Sequence, residues 1–265
     1  MFFSFGIEIR GKCCYNIVYF RMGGYRMNLK NQRIWEIDVA RGACIPGMIL
    51  IHLIYDVVNL YGFIHWPYPT WYSLFKNNYG ALFLLISGVS VTLGSRSARR
   101  GITVFLGGMI VSAVTVGMYL MGMAGRGLII YFGVLHCLGT CMLLWLLFRK
   151  LSPRALLTLA IPLVLVGWWL RGESFNMPVL MPLGFTFPGF SSSDYFPLMP
   201  NLGYFLAGAS FGKKFYAEKI TRFPNVNTQN PVIRFFSWCG RNSLMIYLLH
   251  QPVLALGCEL YAMIL

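Results

Sequence analysis

His52 and Asp56 stand four residues apart in an apolar stretch that follows a charged lead-in, Arg33 to Asp56, with Glu36, Asp38 and Arg41 at its start. On a helix that spacing puts the imidazole and the carboxylate on one face, where they can reach each other or a common ligand. A histidine held by a carboxylate is the usual device for moving a proton to or from a reacting group. The same pair in a membrane also builds proton relays, and ionisable groups at membrane depth mark functional sites by default. The plainer alternative is a hydrogen bond that joins two helices. His136 and His250 lie in other apolar stretches, and His65 and Asp194 lie in segments between them.

The elements that must position these residues are helical and membrane-embedded. Of the 265 residues, 57% are hydrophobic and only 11% charged, which excludes an ordinary soluble domain. Apolar runs recur near the ~20 residues a spanning helix needs, without the ~10-residue alternation of a barrel. The sequence therefore predicts an all-α, polytopic transmembrane bundle of about seven spans: 43–60, 79–93, 102–123, 128–148, 155–170, 195–211 and 242–264. With the N-terminus inside, all but Lys76, Arg126 and Arg171 of the 22 Lys and Arg fall on the inner side. That asymmetry absorbs the formal charge of +14, so no nucleic-acid partner is needed to explain it.

Residues 1–32 read as a basic cytoplasmic arm and 33–265 as the membrane domain. Seven cysteines fit neither a disulfide framework nor a zinc site, and no metal is expected. Residues 61–72 form an aromatic outer loop around His65, and 171–194 a long, apolar outer loop that can serve as a lid or re-entrant piece. Residues 213–241 read as a basic inner loop, and Asn242 or Ser243 as the cap of the last helix. Counting ~1.5 Å per residue from the predicted ends puts His52, His136 and His250 each ~12 Å into the bilayer, near its midplane. Asp56 then lies one turn further out, and the site opens outward.

Several segments, in order along the chain, carry a resemblance. They are Glu-Ile-Asp-Val-Ala-Arg-Gly (36–42) with Met48, His52 and Asp56; Leu-Ile-Ser-Gly-Val-Ser (85–90); Phe-Gly-Val-Leu-His (132–136); Ser-Asp-Tyr-Phe-Pro-Leu-Met-Pro (193–200); and Gly-Arg-Asn-Ser-Leu-Met-Ile-Tyr-Leu-Leu-His-Gln-Pro (240–252). Together they resemble the heparan-alpha-glucosaminide N-acetyltransferase catalytic-domain family in its smaller bacterial form. The resemblance implies an integral, multi-pass acyltransferase of a bacterial cytoplasmic (inner) membrane. It would move an acetyl group from acetyl-CoA inside to an amine or hydroxyl of a sugar or glycan outside, through an essential histidine.

His52 matches the bacterial pattern, whereas longer relatives place the histidine in the loop where this chain has His65. Under this reading His52 is the base or the acyl carrier, and Asp56 orients it. His65, His136, Asp194 and His250 complete the catalytic candidates, and Arg41, Arg96, Arg99, Arg100 and Arg241 are candidates for the CoA phosphates. The bilayer, acyl-CoA and a sugar acceptor are the expected partners, and a homo-oligomer is allowed. The rival from another class is a proton-coupled transporter, against which the missing internal repeat counts. A non-catalytic membrane scaffold is the third reading.

Overall fold

A computed structural model describes residues 34–264 and, in the N-terminal arm, two short antiparallel strands, β1 (Tyr19–Met22) and β2 (Tyr25–Asn28). The rest of the basic arm, and with it most of the expected division at residue 32, lies outside the described residues. From Ile34 onward the described chain is helical, with short bridges only.

α1 (Trp35–Tyr55) begins eight residues before the predicted span, with Glu36 and Asp38 in its first turn, where the helix dipole favours acidic groups. A π turn, Asp56–Leu60, continues it. α2 (Thr70–Leu93) likewise starts earlier than expected, because part of the aromatic loop is its first turns. There Tyr72 is buried beside Trp66 and Tyr68. α3 (Ser97–Leu120) follows a tight turn. α4 (Val134–Phe148) is shorter than its predicted span at its N-terminal end. α5 (Pro153–Trp169) opens with Ser152 accepting the Ala155 N–H at 3.2 Å and proline at its first position, a standard start. α6 (Leu198–Phe215) and α8 (Ser243–Ala262) complete the long elements.

Two expectations about the inner side are corrected. The segment read as a basic loop contains a further helix, α7 (Pro231–Arg241), capped by Asn230, which accepts the Val232 N–H at 2.9 Å. Asn242 does not cap α8; its side chain turns back and donates to the Trp238 carbonyl at 2.9 Å.

By length and composition three helices suffice to cross a bilayer: α1 with its π turn, α3 and α8. α4 and α5 are shorter apolar helices. α3 and α8 turn large apolar side chains outward, among them Ile102, Leu106, Ile110, Val253 and Leu256. Such faces are a liability in water and the ordinary condition in lipid. From Ile34 onward the described chain is a helical bundle, that of an integral membrane protein.

The core lies between α2, α4, α5 and α6, where Leu84, Cys137, Leu156, Phe205 and Leu206 are fully enclosed. Backbones cross closely where glycines meet. A side chain at Gly88 would run into the Phe205 carbonyl and one at Gly208 into the Leu85 carbonyl, which fixes α2 against α6. Gly42 and Gly240 do the same for α1 and α7, facing the Phe236 and Asp38 carbonyls. Small residues at such crossings are what membrane helices use to pack. Gly240→Leu is therefore expected to push α7 off α1 and to lower stability by at least the ~1–3 kcal/mol typical of overpacking. Thermal melting in detergent measures this; an unchanged midpoint would show the crossing to be dispensable.

Candidate active site

The π turn matters first, because it begins at Asp56. The Asp56 N–H bonds the carbonyls of His52 and Leu53, and the winding then loosens, as it often does at functional sites. The Asp56 carboxylate is completely buried, and both its oxygens accept from the Gln251 side-chain amide of α8 at 2.9 Å. No hydrogen bond joins Asp56 to the His52 side chain among the described residues. The expectation that Asp56 orients His52 by a direct hydrogen bond is corrected on that point: the donor that meets the carboxylate is the Gln251 amide of α8.

His52 instead meets His250. Their rings stand edge to face with centroids 4.7 Å apart. The Nδ1 of His250 bonds the Tyr247 carbonyl at 2.5 Å, and its Nε2 is buried without a hydrogen-bond partner among the described residues. Tyr247 in turn donates its hydroxyl to Asp194 at 3.1 Å. Asp194 also accepts the Val134 N–H at 3.0 Å, which seats the carboxylate at the positive end of α4.

His136 lies on the other side of Asp194 and does different work. It sits two residues into α4, so the count that placed it ~12 Å inside its span is replaced by one of ~3 Å from the helix start. Its Nδ1 accepts the Gly133 N–H at 3.3 Å, and its Nε2 faces the Ser112 hydroxyl at 3.5 Å. The ring is packed by Phe105 and Phe132. With both nitrogens engaged, His136 latches the extended stretch 129–133 to α3 and α4.

That stretch runs beside residues 191–197. Phe196 donates its N–H to the Phe132 carbonyl, and the Ser192 and Ser193 hydroxyls donate to the carbonyls of Ile129 and Leu128, all at 2.8–2.9 Å. Irregular backbone close to a membrane is stable only when protein satisfies it in this way. The pairing presents Asp194 to α4 and α8.

A cavity of about 2310 Å³ runs along α2, lined from Lys76 to Gly94. Those residues are separated by ~27 Å of helix rise, close to the ~30 Å of a bilayer core. Arg41, Arg96, Arg99, Arg100 and Arg241 line one end together with Lys219. Arg41 is also bound to Asp38 at 2.6 Å. Glu36 straps the neighbouring loop to α1 by accepting from the Thr221 hydroxyl and the Arg222 N–H at 2.9 and 2.8 Å. Lys76, Arg171 and residues 191–194 line the other end. His52 is on the wall, half-buried, with Tyr55 and Tyr247.

The histidine candidates thus separate. His52 lines the cavity, His250 backs it, His136 is a structural latch, and His65 is exposed in the loop before α2 and does not line the cavity. Because α1 starts at Trp35, eight residues before the predicted span, His52 lies ~26 Å along the helix from its first residue. Two partners of the site escaped the sequence reading, Gln251 and Tyr247. Both are polar residues in an apolar helix, α8, and their four-residue spacing was the available signal. Ser112 gave none. Among the described residues no group of three or more His, Cys, Asp or Glu is placed to hold a metal ion.

A helical membrane bundle with a large cavity along α2, an imidazole on its wall and arginines at one end defines a membrane protein with a built internal site. The family described as "Heparan-alpha-glucosaminide N-acetyltransferase, catalytic" matches residues 33–252, and the chain belongs to that family of membrane acetyltransferases. No curated protein and no solved structure matches the chain. The matched span ends just past Gln251 and so includes His52, Asp56, Asp194, Tyr247 and His250.

Proposed function

We propose that this protein transfers an acetyl group from acetyl-CoA, bound at the arginine-lined mouth on the cytoplasmic side, to an amine or hydroxyl of a sugar at the opposite mouth. The observation that carries the reading is the continuous cavity that reaches from that cation cluster past His52 to residues 191–194. Guanidinium groups bind phosphates in bidentate, charge-assisted fashion, which suits the nucleotide end of CoA. From Arg41 to His52 the rise along α1 is ~16 Å, a distance suited to an extended thioester arm. The topology that goes with this reading has the N-terminus in the cytoplasm, most cations inside, and seven spans with α7 lying on the inner side.

The chemistry asked of the protein is modest. An attacking amine or hydroxyl must lose its proton as it adds to the thioester carbonyl, and His52 is the cavity-lining group able to take it. The alternative at the same residue is attack by His52 itself, with a transient acetyl-imidazole.

The test is direct. Purified protein in detergent or nanodiscs is expected to bind acetyl-CoA and to release CoA thiol when glucosamine is supplied. Replacing Arg96, Arg99, Arg100 and Arg241 by Gln together should weaken acetyl-CoA binding by tenfold or more, since each hydrogen bond to a charged group contributes ~1.5–3 kcal/mol. The variant should still insert. Unchanged binding would leave these charges to topology alone, and solute movement without acetyl-CoA consumption would favour the proton-coupled transporter.

A further inference from the structure

We propose that His250 is the proton acceptor behind His52, so that the two rings act as one relay. The inference rests on the acetyl-transfer reading above and adds to it how the acceptor's proton leaves the site.

The tautomer of His250 follows from its partner. A carbonyl oxygen only accepts, so the 2.5 Å contact with the Tyr247 carbonyl puts the hydrogen on Nδ1. The neutral ring then carries its lone pair on Nε2, and that atom is buried with no partner among the described residues. A buried acceptor left unsatisfied is costly, and it needs a role to explain it. The ring that stands against His250 is His52, at 4.7 Å between centroids. Two imidazoles bonded nitrogen to nitrogen stand about 5 Å apart, from a ~2.9 Å hydrogen bond plus the two ring radii. A turn of the His52 ring alone, with the His250–Tyr247 bond kept, therefore suffices to join them without moving either helix.

The division of labour follows from the lining. His52 faces the cavity and His250 does not, so substrate touches His52, and His250 is a positioning residue that acts through it. As the acceptor nitrogen or oxygen bonds to the acetyl carbonyl carbon, its proton goes to the cavity-facing nitrogen of His52. The proton on the other nitrogen of His52 passes to Nε2 of His250. The carbon–sulfur bond breaks, CoA leaves as the thiolate, and the proton returns by the same path to that sulfur. The positive charge held meanwhile on His250 faces the Tyr247 carbonyl, and the Tyr247 phenol is itself anchored on the Asp194 carboxylate. His136, with both nitrogens engaged, has no place in this path.

The experiment compares wild type with His250→Gln in nanodiscs, using acetyl-CoA and glucosamine. Expected is a fall in kcat of ~10²- to 10⁴-fold, with KM for acetyl-CoA within about twofold of wild type because the arginine mouth is untouched. The wild-type rate should depend on the deuterium fraction of the solvent in a curved, two-proton manner, and the residual rate of the variant in a linear, one-proton manner. A variant that retains kcat within about threefold, or that keeps the curved dependence, overturns the relay. Should His250→Gln fail to fold by thermal melting, His250→Asn replaces it in the same comparison. A wild type that never consumes acetyl-CoA rejects the acetyltransferase reading itself, whereas an active wild type with an unaffected variant rejects the relay alone.

Discussion

His52→Ala is expected to abolish acetyl transfer while leaving membrane insertion and acetyl-CoA binding intact. Among the described residues His52 is the one histidine on the cavity wall, and its side chain carries no hydrogen bond that holds helices together. Removing a general base typically costs ~10²- to 10⁴-fold in rate. Losing a mere interhelical contact costs only ~0.6 kcal/mol and leaves turnover largely intact. The assay is CoA release with glucosamine as acceptor, run beside His65→Ala. His65 is exposed and off the cavity, so its variant should turn over within about twofold of wild type, as surface changes usually do. The opposite outcome, an active His52→Ala and an inactive His65→Ala, would move the chemistry into the loop that carries His65.

The helical class and the identity of His52, Asp194 and His250 as polar residues in apolar surroundings were legible, because hydropathy and the rarity of ionisable residues in lipid are local signals. The partnerships were not. Spacing four residues apart suggested that Asp56 served His52, but a change of winding at Asp56 and a donor on another helix decide where the carboxylate goes. The start of α1 was hidden for a similar reason. α1 starts at Trp35 because acidic residues suit its first turn and Gly42 lets α7 lie against it, and neither fact appears in a hydropathy window. α7 itself was hidden by the basic residues around it, although Asn230-Pro231 is an ordinary helix start. His136, a histidine in an apolar run, reads as functional in the sequence, and only the fold reveals that both its nitrogens are engaged.

The pair Asp56 and Gln251 gives the largest expected effect on stability, and it turns on which side is removed. Gln251→Leu leaves a fully buried carboxylate without its donor. Leaving a buried acceptor without its donor typically costs ~1–3 kcal/mol, and more when the acceptor is charged, above the ~0.6 kcal/mol of an average interhelical hydrogen bond in a membrane. Gln251→Leu should therefore lower the melting midpoint sharply and reduce the yield of inserted protein. Replacing both partners, Asp56→Leu with Gln251→Leu, should recover most of the loss, since well-packed apolar pairs often equal or exceed the polar ones they replace. Asp56→Asn is the informative third member. The Gln251 amide oxygen is buried with no partner among the described residues. The Asp56→Asn substitution supplies an N–H₂ group for it, while the remaining oxygen at that position still accepts from Gln251. That variant is expected to melt at or above the wild-type temperature. It should also keep turnover within about tenfold, because Asp56 has no side-chain hydrogen bond to His52, whereas a carboxylate that orients the catalytic base would cost ~10²-fold or more when neutralised. A collapse of turnover in Asp56→Asn at unchanged stability would restore Asp56 to the chemistry and displace the structural role argued for it.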